Sequence, residues 1–150
     1  MSTRSRIGMV QPNGTIRSIY CHSDGYLSWN GATLFHHYTT PAKVKALIAL
    51  GDISFLQINL APPKGVKHTF DSPAPGVTKA YMRDRGEKDC EAQISSGIET
   101  FLAIDNGQEY SYLFENGKWS VWAKYDEDGN DTRHLRQELS LTLITKRVTS

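Results

Sequence analysis

Between Tyr20 and Gly31 the chain gathers the side chains from which sites are built. It carries a thiol (Cys21), an imidazole (His22), a carboxylate (Asp24), two phenols (Tyr20, Tyr26) and an indole (Trp29). His22 and Asp24 stand two residues apart, a spacing that in a loop lets both converge on a metal ion or share a proton. Asn30, His36 and His37 follow soon after. Asp24-Gly25 also has a plainer reading, a turn in which the Asp24 carboxylate bonds its own backbone.

A second group lies at "RDRGE", residues 83 to 87, with two guanidiniums and two carboxylates in five positions. On a strand Arg83 and Arg85 would point the same way and could grip one phosphate or carboxylate together. A solvated salt-bridge cluster accounts for the same residues. The aromatic set Tyr110, Tyr112, Phe114, Trp119, Trp122 and Tyr125 could stack bases. Such platforms come with a basic groove, however, and this stretch is acidic, so core packing accounts for it better.

A hairpin, a histidine and then a helix with more histidines is similar in outline to the ββα-metal nucleases. The order and spacing differ, and the cluster of carboxylates is missing. His36 and His37 are neighbours on a helix, about 100° apart, and so make a poor metal pair. The two cysteines lack the close spacing of a zinc site. No metal or cofactor is expected. No Ser-His-Asp order, phosphate-binding glycine loop or dinucleotide fingerprint is present.

These residues must be positioned by the elements around them. Residues 5–11 and 15–21 read as a hairpin about "QPNGT", where Pro12, Asn13 and Gly14 favour a turn. In the second strand both faces carry apolar residues, so neither is assigned to the core. "NGATLFHHY" predicts a short helix. "TTPAKVKALIALGD" predicts a clearer one, with Thr40 as cap, Pro41 in the first turn and Gly51 as the stop. Its core stripe is Val44, Leu47 and Ile48. Residues 61–76 hold Pro62, Pro63, Pro73 and Pro75 and read as a connection.

"TKAYMRDRGEKD" predicts a strand ending in a charged turn, and residues 98–104 fit a strand or a short helix. "EYSYLFENGKWSVWAKY" predicts a second hairpin, its two alternating runs meeting at Asn116-Gly117. Leu135, Leu139 and Leu143 have helical spacing, while "SLTLIT" alternates like a strand. Hairpins interleaved with a short helical pair predict one α+β domain over residues 1–150, an antiparallel sheet with the helices packed on it.

The bulk properties agree with a single globular domain. At 150 residues the chain can bury roughly two-thirds of its unfolded surface. A net charge of +1 fits neither a strongly acidic mimic of DNA nor a strongly basic non-specific nucleic-acid binder. Charge is uneven, nonetheless. Residues 1–70 hold seven Lys/Arg against two Asp/Glu, and residues 71–150 hold ten against fourteen. No apolar run approaches a membrane span, residues 1–6 lack the apolar core of a secretory signal, and two cysteines make no disulfide framework. The expectation is a protein of the cytosol, its thiols reduced.

The segments "TRSRIG", "IYCHSDGY", "NGATLFHHYTTPAKVKALIALGDIS", "YMRDRGE" and "YLFENGKWSVW" together resemble a group of small accessory proteins encoded by phages and prophages. The resemblance runs in order over most of residues 3–125 and is weakest over 61–76 and after 125. The group usually has Trp at the position of Ser23. The resemblance implies an origin, the cytosol of an infected cell, rather than a mechanism.

It makes the leading expectation a non-enzymatic protein that binds and inhibits a host or bacterial defence protein, in the manner of counter-defence or anti-CRISPR proteins. The contact residues expected are His22, Asp24, Tyr26, Trp29, Arg83 and Arg85. The alternative is a small enzyme or binding protein for nucleic acid or nucleotides. There His22 and Asp24 would serve a metal or a proton, and Arg83 and Arg85 would hold phosphate. No membrane partner is expected, a homo-oligomer is compatible with either reading, and a structural accessory of the virion is a third option.

Overall fold

The computed structural model describes residues 2–126 and 128–145. Its centre is the first hairpin. β1 (Ser5–Val10) and β2 (Ile16–Ser23) pair antiparallel from Ser5 opposite Cys21 to Val10 opposite Ile16. Gly14 takes φ +85° at the turn between them, and the Asn13 Oδ1 accepts the Thr15 N–H at 3.1 Å. The second predicted hairpin also forms. β6 (Tyr110–Glu115) and β7 (Lys118–Ala123) meet at Asn116 and Gly117, whose φ angles of +52° and +77° are the two positive values a type I′ turn requires.

A long excursion joins the two hairpins and supplies everything else. After β2, a wide helical turn at Leu27–Gly31 leads into α1 (Ala32–His37), α2 (Pro41–Ala49) and β3 (Ile53–Phe55). This crossover returns the chain alongside the C-terminal half of β2, with Ile53 opposite Cys21, so β3 lies parallel to β2. β4 (Lys79–Ala80) pairs with β3, and β5 (Gln93–Ser95) takes the N-terminal half of β2's edge. β6 then enters beside β1, again parallel. The sheet order is β4-β3-β2-β1-β6-β7-β8, where β8 is Gln137–Glu138. The α+β class holds, but two parallel joints make the sheet mixed where a purely antiparallel one was expected.

Helix α2 forms as its residues dictate. Thr40 Oγ1 accepts the Lys43 N–H at 3.3 Å, Pro41 needs no partner in the first turn, and Gly51 ends the helix at φ +77°. Val44, Leu47 and Ile48 are buried, each contributing about 2 kcal/mol by leaving water. With Leu34 of α1 and Leu143 of the C-terminal helix they cover Ile7, Ile19, Cys21, Tyr112, Phe114, Trp119 and Val121 on one face of the sheet. On the other face α4 (Ile98–Ala103) sets Phe101 against Ile16, Leu113 and Trp122. Burial on both faces explains why β2 shows no clean alternation. It also settles the aromatic set, most of which is core.

Two local expectations fail. Residues 79–85 make only a two-residue strand before α3 (Tyr81–Arg85), because Asp84 Oδ2 turns back to accept the Ala80 N–H at 2.8 Å and Gly86 closes the turn at φ +71°. At the C-terminus the leucine spacing and the alternation both mislead. β8 lies on the open edge of β7, and Ser140 Oγ then accepts the Leu143 N–H at 3.2 Å to start α5 (Leu141–Ile144). Leu139 and Leu143 are buried there, while Leu135 is exposed.

Candidate functional site

The 22–31 segment is held by its own backbone and by β1. The Gly25 N–H donates to Thr3 O at 2.7 Å, and a Cβ on Gly25 would stand 2.8 Å from Ser5 Cβ. The Tyr112 hydroxyl reaches across to donate to Gly25 O at 2.7 Å. Asn30, fully buried, donates to Ser5 Oγ and Cys21 Sγ, and its N–H donates to Asp24 O. Trp29 lies on the Phe55 ring with centroids 5.3 Å apart and donates its indole N–H to Leu56 O. Burial pushes the Cys21 thiol up to about 11, which makes it a core group and not a nucleophile.

His22 and Asp24 are parted by this turn. His22 shares a face of the sheet with Tyr20, whose hydroxyl lies 2.8 Å from His22 Nδ1. Burial raises the Tyr20 phenol, and nearby Arg4 opposes that rise. Asp24 faces Tyr26 instead, adding to the rise that burial imposes on that phenol. Among the described residues no hydrogen bond joins His22 to Asp24, and no three His, Cys, Asp or Glu side chains cluster as metal ligands. His36 and His37 are exposed on α1.

Arg83 and Arg85 are on a helical turn, not a strand, and they do not grip one anion together. Arg83 donates to Leu60 O, to Thr78 O at 2.8 Å and to both oxygens of Asp84. Asp84 in turn accepts from His68 Nε2 at 3.0 Å, and the Ala74 N–H donates to His68 Nδ1 at 2.9 Å. Nδ1 is thus an acceptor, so Nε2 carries the proton given to Asp84. The His68 and Asp84 side chains are only 3% and 4% exposed. Burial alone would raise the Asp84 carboxyl, but the bonds from Arg83, Ala80 and His68 outweigh it and hold the carboxyl below its ordinary range.

Together these three side chains form a clasp on the 61–76 connection. They hold it at Leu60, His68, Ala74 and Thr78. Beside the clasp, the Phe70 ring takes both Lys79 Nζ at 4.3 Å and the Arg85 guanidinium at 4.5 Å from its centroid, with Arg85 also over Tyr81. The tip of the connection is a turn in which the Val66 N–H donates to Pro63 O and Gly65 takes φ +82°, the type II signature. Lys64, Val66 and Lys67 are exposed on it, Val66 at 44%, and Ile58 is 43% exposed nearby.

His68, Phe70, Lys79 and Tyr81 were missed in the sequence. One signal was there: residues 53–70 contain Lys64, Lys67 and His68 and no Asp or Glu. What the arrangement offers is a fixed, cationic, partly apolar loop on a rigid sheet, the form in which scaffolds present contact residues. No helix among the described residues is long and apolar enough to cross a membrane. Comparison with known proteins finds no family model, no curated protein and no solved structure that matches this chain.

Proposed function

We propose that the protein is a non-enzymatic binder that blocks a host or bacterial defence protein, acting through the clasped 61–76 loop and its cationic flank. The observation that carries this reading is the clasp. Buried His68 and Asp84, joined by the partly exposed Arg83, form a network that serves a surface loop covering no large part of the core, and what it fixes is the exposed tip Lys64–Lys67. Ordering a loop in advance removes an entropy cost from binding. The phage-like motifs supply the class of target, and Arg85 and Lys79 extend the contact surface. In this reading Arg83 is a positioning residue, while His22 lies near the end of β2 and Asp24, Tyr26 and Trp29 belong to the held segment that follows it.

The test is relief of a defined defence. Expression in a bacterium whose CRISPR or other defence system blocks a phage should restore plating. Purified protein should inhibit the isolated defence complex stoichiometrically. Inhibition far below one equivalent would point to catalysis, and no relief in any system would remove the counter-defence reading.

A phosphate-bearing ligand is the second reading, favoured by Arg4, Tyr20 and His22. When the Tyr20 hydroxyl donates to Nδ1, the His22 Nε2–H is left for another acceptor. A nucleotide or oligonucleotide should then raise the melting temperature in the wild type and not in His22→Ala.

A further inference from the structure

Arg6 is buried at 1% exposure on β1, and among the described residues no carboxylate pairs with it. Its Nε donates to Ser18 Oγ at 2.8 Å, and its Nη1 donates to Asn106 Oδ1 at 2.7 Å. A buried cation whose acceptors are all neutral is an expensive arrangement. Asn106 precedes Gly107, so its side-chain carbonyl carbon and the Gly107 nitrogen can close a five-membered imide ring. The Gly107 N–H donates to Asp105 Oδ1 at 3.2 Å. Residue 107 takes φ +74°, and a Cβ there would stand 3.2 Å from Arg4 Nη1, so glycine leaves the nucleophile unhindered.

These contacts match what the reaction needs. A base sits on the proton that must leave, and a fixed cation sits on the oxygen that gains charge. We propose that Asn106 is a site of self-catalysed cyclisation and deamidation, with Asp105 as the base, Arg6 as the oxyanion donor and water as co-reactant. Gly107 N bonds to Asn106 Cγ as its proton passes to Asp105, and the charge on Oδ1 is held by Arg6. The Cγ–Nδ2 bond then breaks, and ammonia leaves with the proton returned from Asp105. One water opens the imide and leaves a carboxylate. On the aspartyl product that carboxylate meets Arg6, so the reaction gives the buried guanidinium a carboxylate in direct contact, where Asp52 acts on it only from beyond ion-pair distance.

The chain contains its own controls in Asn13-Gly14, Asn30-Gly31 and Asn116-Gly117. At Asn13 the amide oxygen is held by Thr15, and the Gly14 N–H donates to Gln11 O. At Asn30 the Gly31 N–H donates to Tyr26 O, and the amide oxygen has no partner. Among the described residues only Asn106 carries both the guanidinium and the carboxylate contact.

The test is to age the purified protein at neutral pH and follow all four sites by peptide mass spectrometry. Asn106 should convert fastest. Asp105→Ala, an exposed change, should slow Asn106 by about tenfold or more and leave Asn13, Asn30 and Asn116 unaltered. Conversion of Asn106 no faster than Asn13 and Asn116, or an unchanged rate in Asp105→Ala, would overturn the proposal. Asn106→Asp should raise the melting temperature of the native chain but not that of Arg6→Gln. A fall in the native chain would overturn the pairing of the product with Arg6.

Discussion

Asp84 is the residue on which most of the clasp depends, and its removal has a calculable direction. Asp84→Asn keeps the shape but leaves Arg83 and His68 without their charge, and it should cost about 2 kcal/mol of stability. The folded pKa of Asp84 lies below the ordinary 3.8, so its contribution is fully present above that value. It is lost as the pH falls through the lower folded pKa. Melting curves from about pH 5 to about pH 2 should therefore show a steeper acid loss in the wild type than in Asp84→Asn. Thiols give a second check. Alkylation of the native protein should reach half-buried Cys90 first and Cys21 only on unfolding, since burial takes Cys21 up to about 11. At this scale the sequence was partly legible. The turn in which Asp24 bonds its own backbone does not form among the described residues, since the carboxylate faces Tyr26, and the Tyr20–His22 pairing was hidden because β2 runs on to Ser23, past the predicted end at residue 21. The His68–Asp84 contact joins residues sixteen apart across an irregular loop, and no periodicity announces it.

Elements with their own local logic were legible, and those defined by their neighbours were not. Asn116-Gly117 and Thr40-Pro41 specify a hairpin and a helix start through a few residues each. β3, β4, β5 and β8 are two or three residues long and exist because an edge was open beside them. The packing between elements supplies two tests. Gly8→Ala would put a Cβ 2.9 Å from Phe101 Cε1, so it should push α4 off the sheet and cost about 1–3 kcal/mol. Leu47→Ala on α2 should cost about 3 kcal/mol through the cavity it leaves. Denaturant midpoints with unchanged slopes would support both, and wild-type stability in Gly8→Ala would mean that α4 does not hold this position.

The whole molecule is a mixed sheet covered on both faces, from which one long connection stands out as fixed yet exposed. Composition had shown that the first seventy residues are basic, and the fold sets two of those charges, Lys64 and Lys67, on the exposed tip, while Lys79 and Arg85 from the acidic half join the same connection at Phe70. The sequence could not show this, since residues 61–76 read only as a linker until the clasp is seen. We propose that this loop makes the contact with a partner. Its most direct test is affinity capture from bacterial lysate carried out in parallel with the wild type and with Lys64→Glu/Lys67→Glu, quantified by mass spectrometry. Both changes lie on the exposed tip, so melting temperatures should agree. One component should be retained by the wild type and weakened at least about tenfold in the variant. Equal capture by both proteins would contradict it.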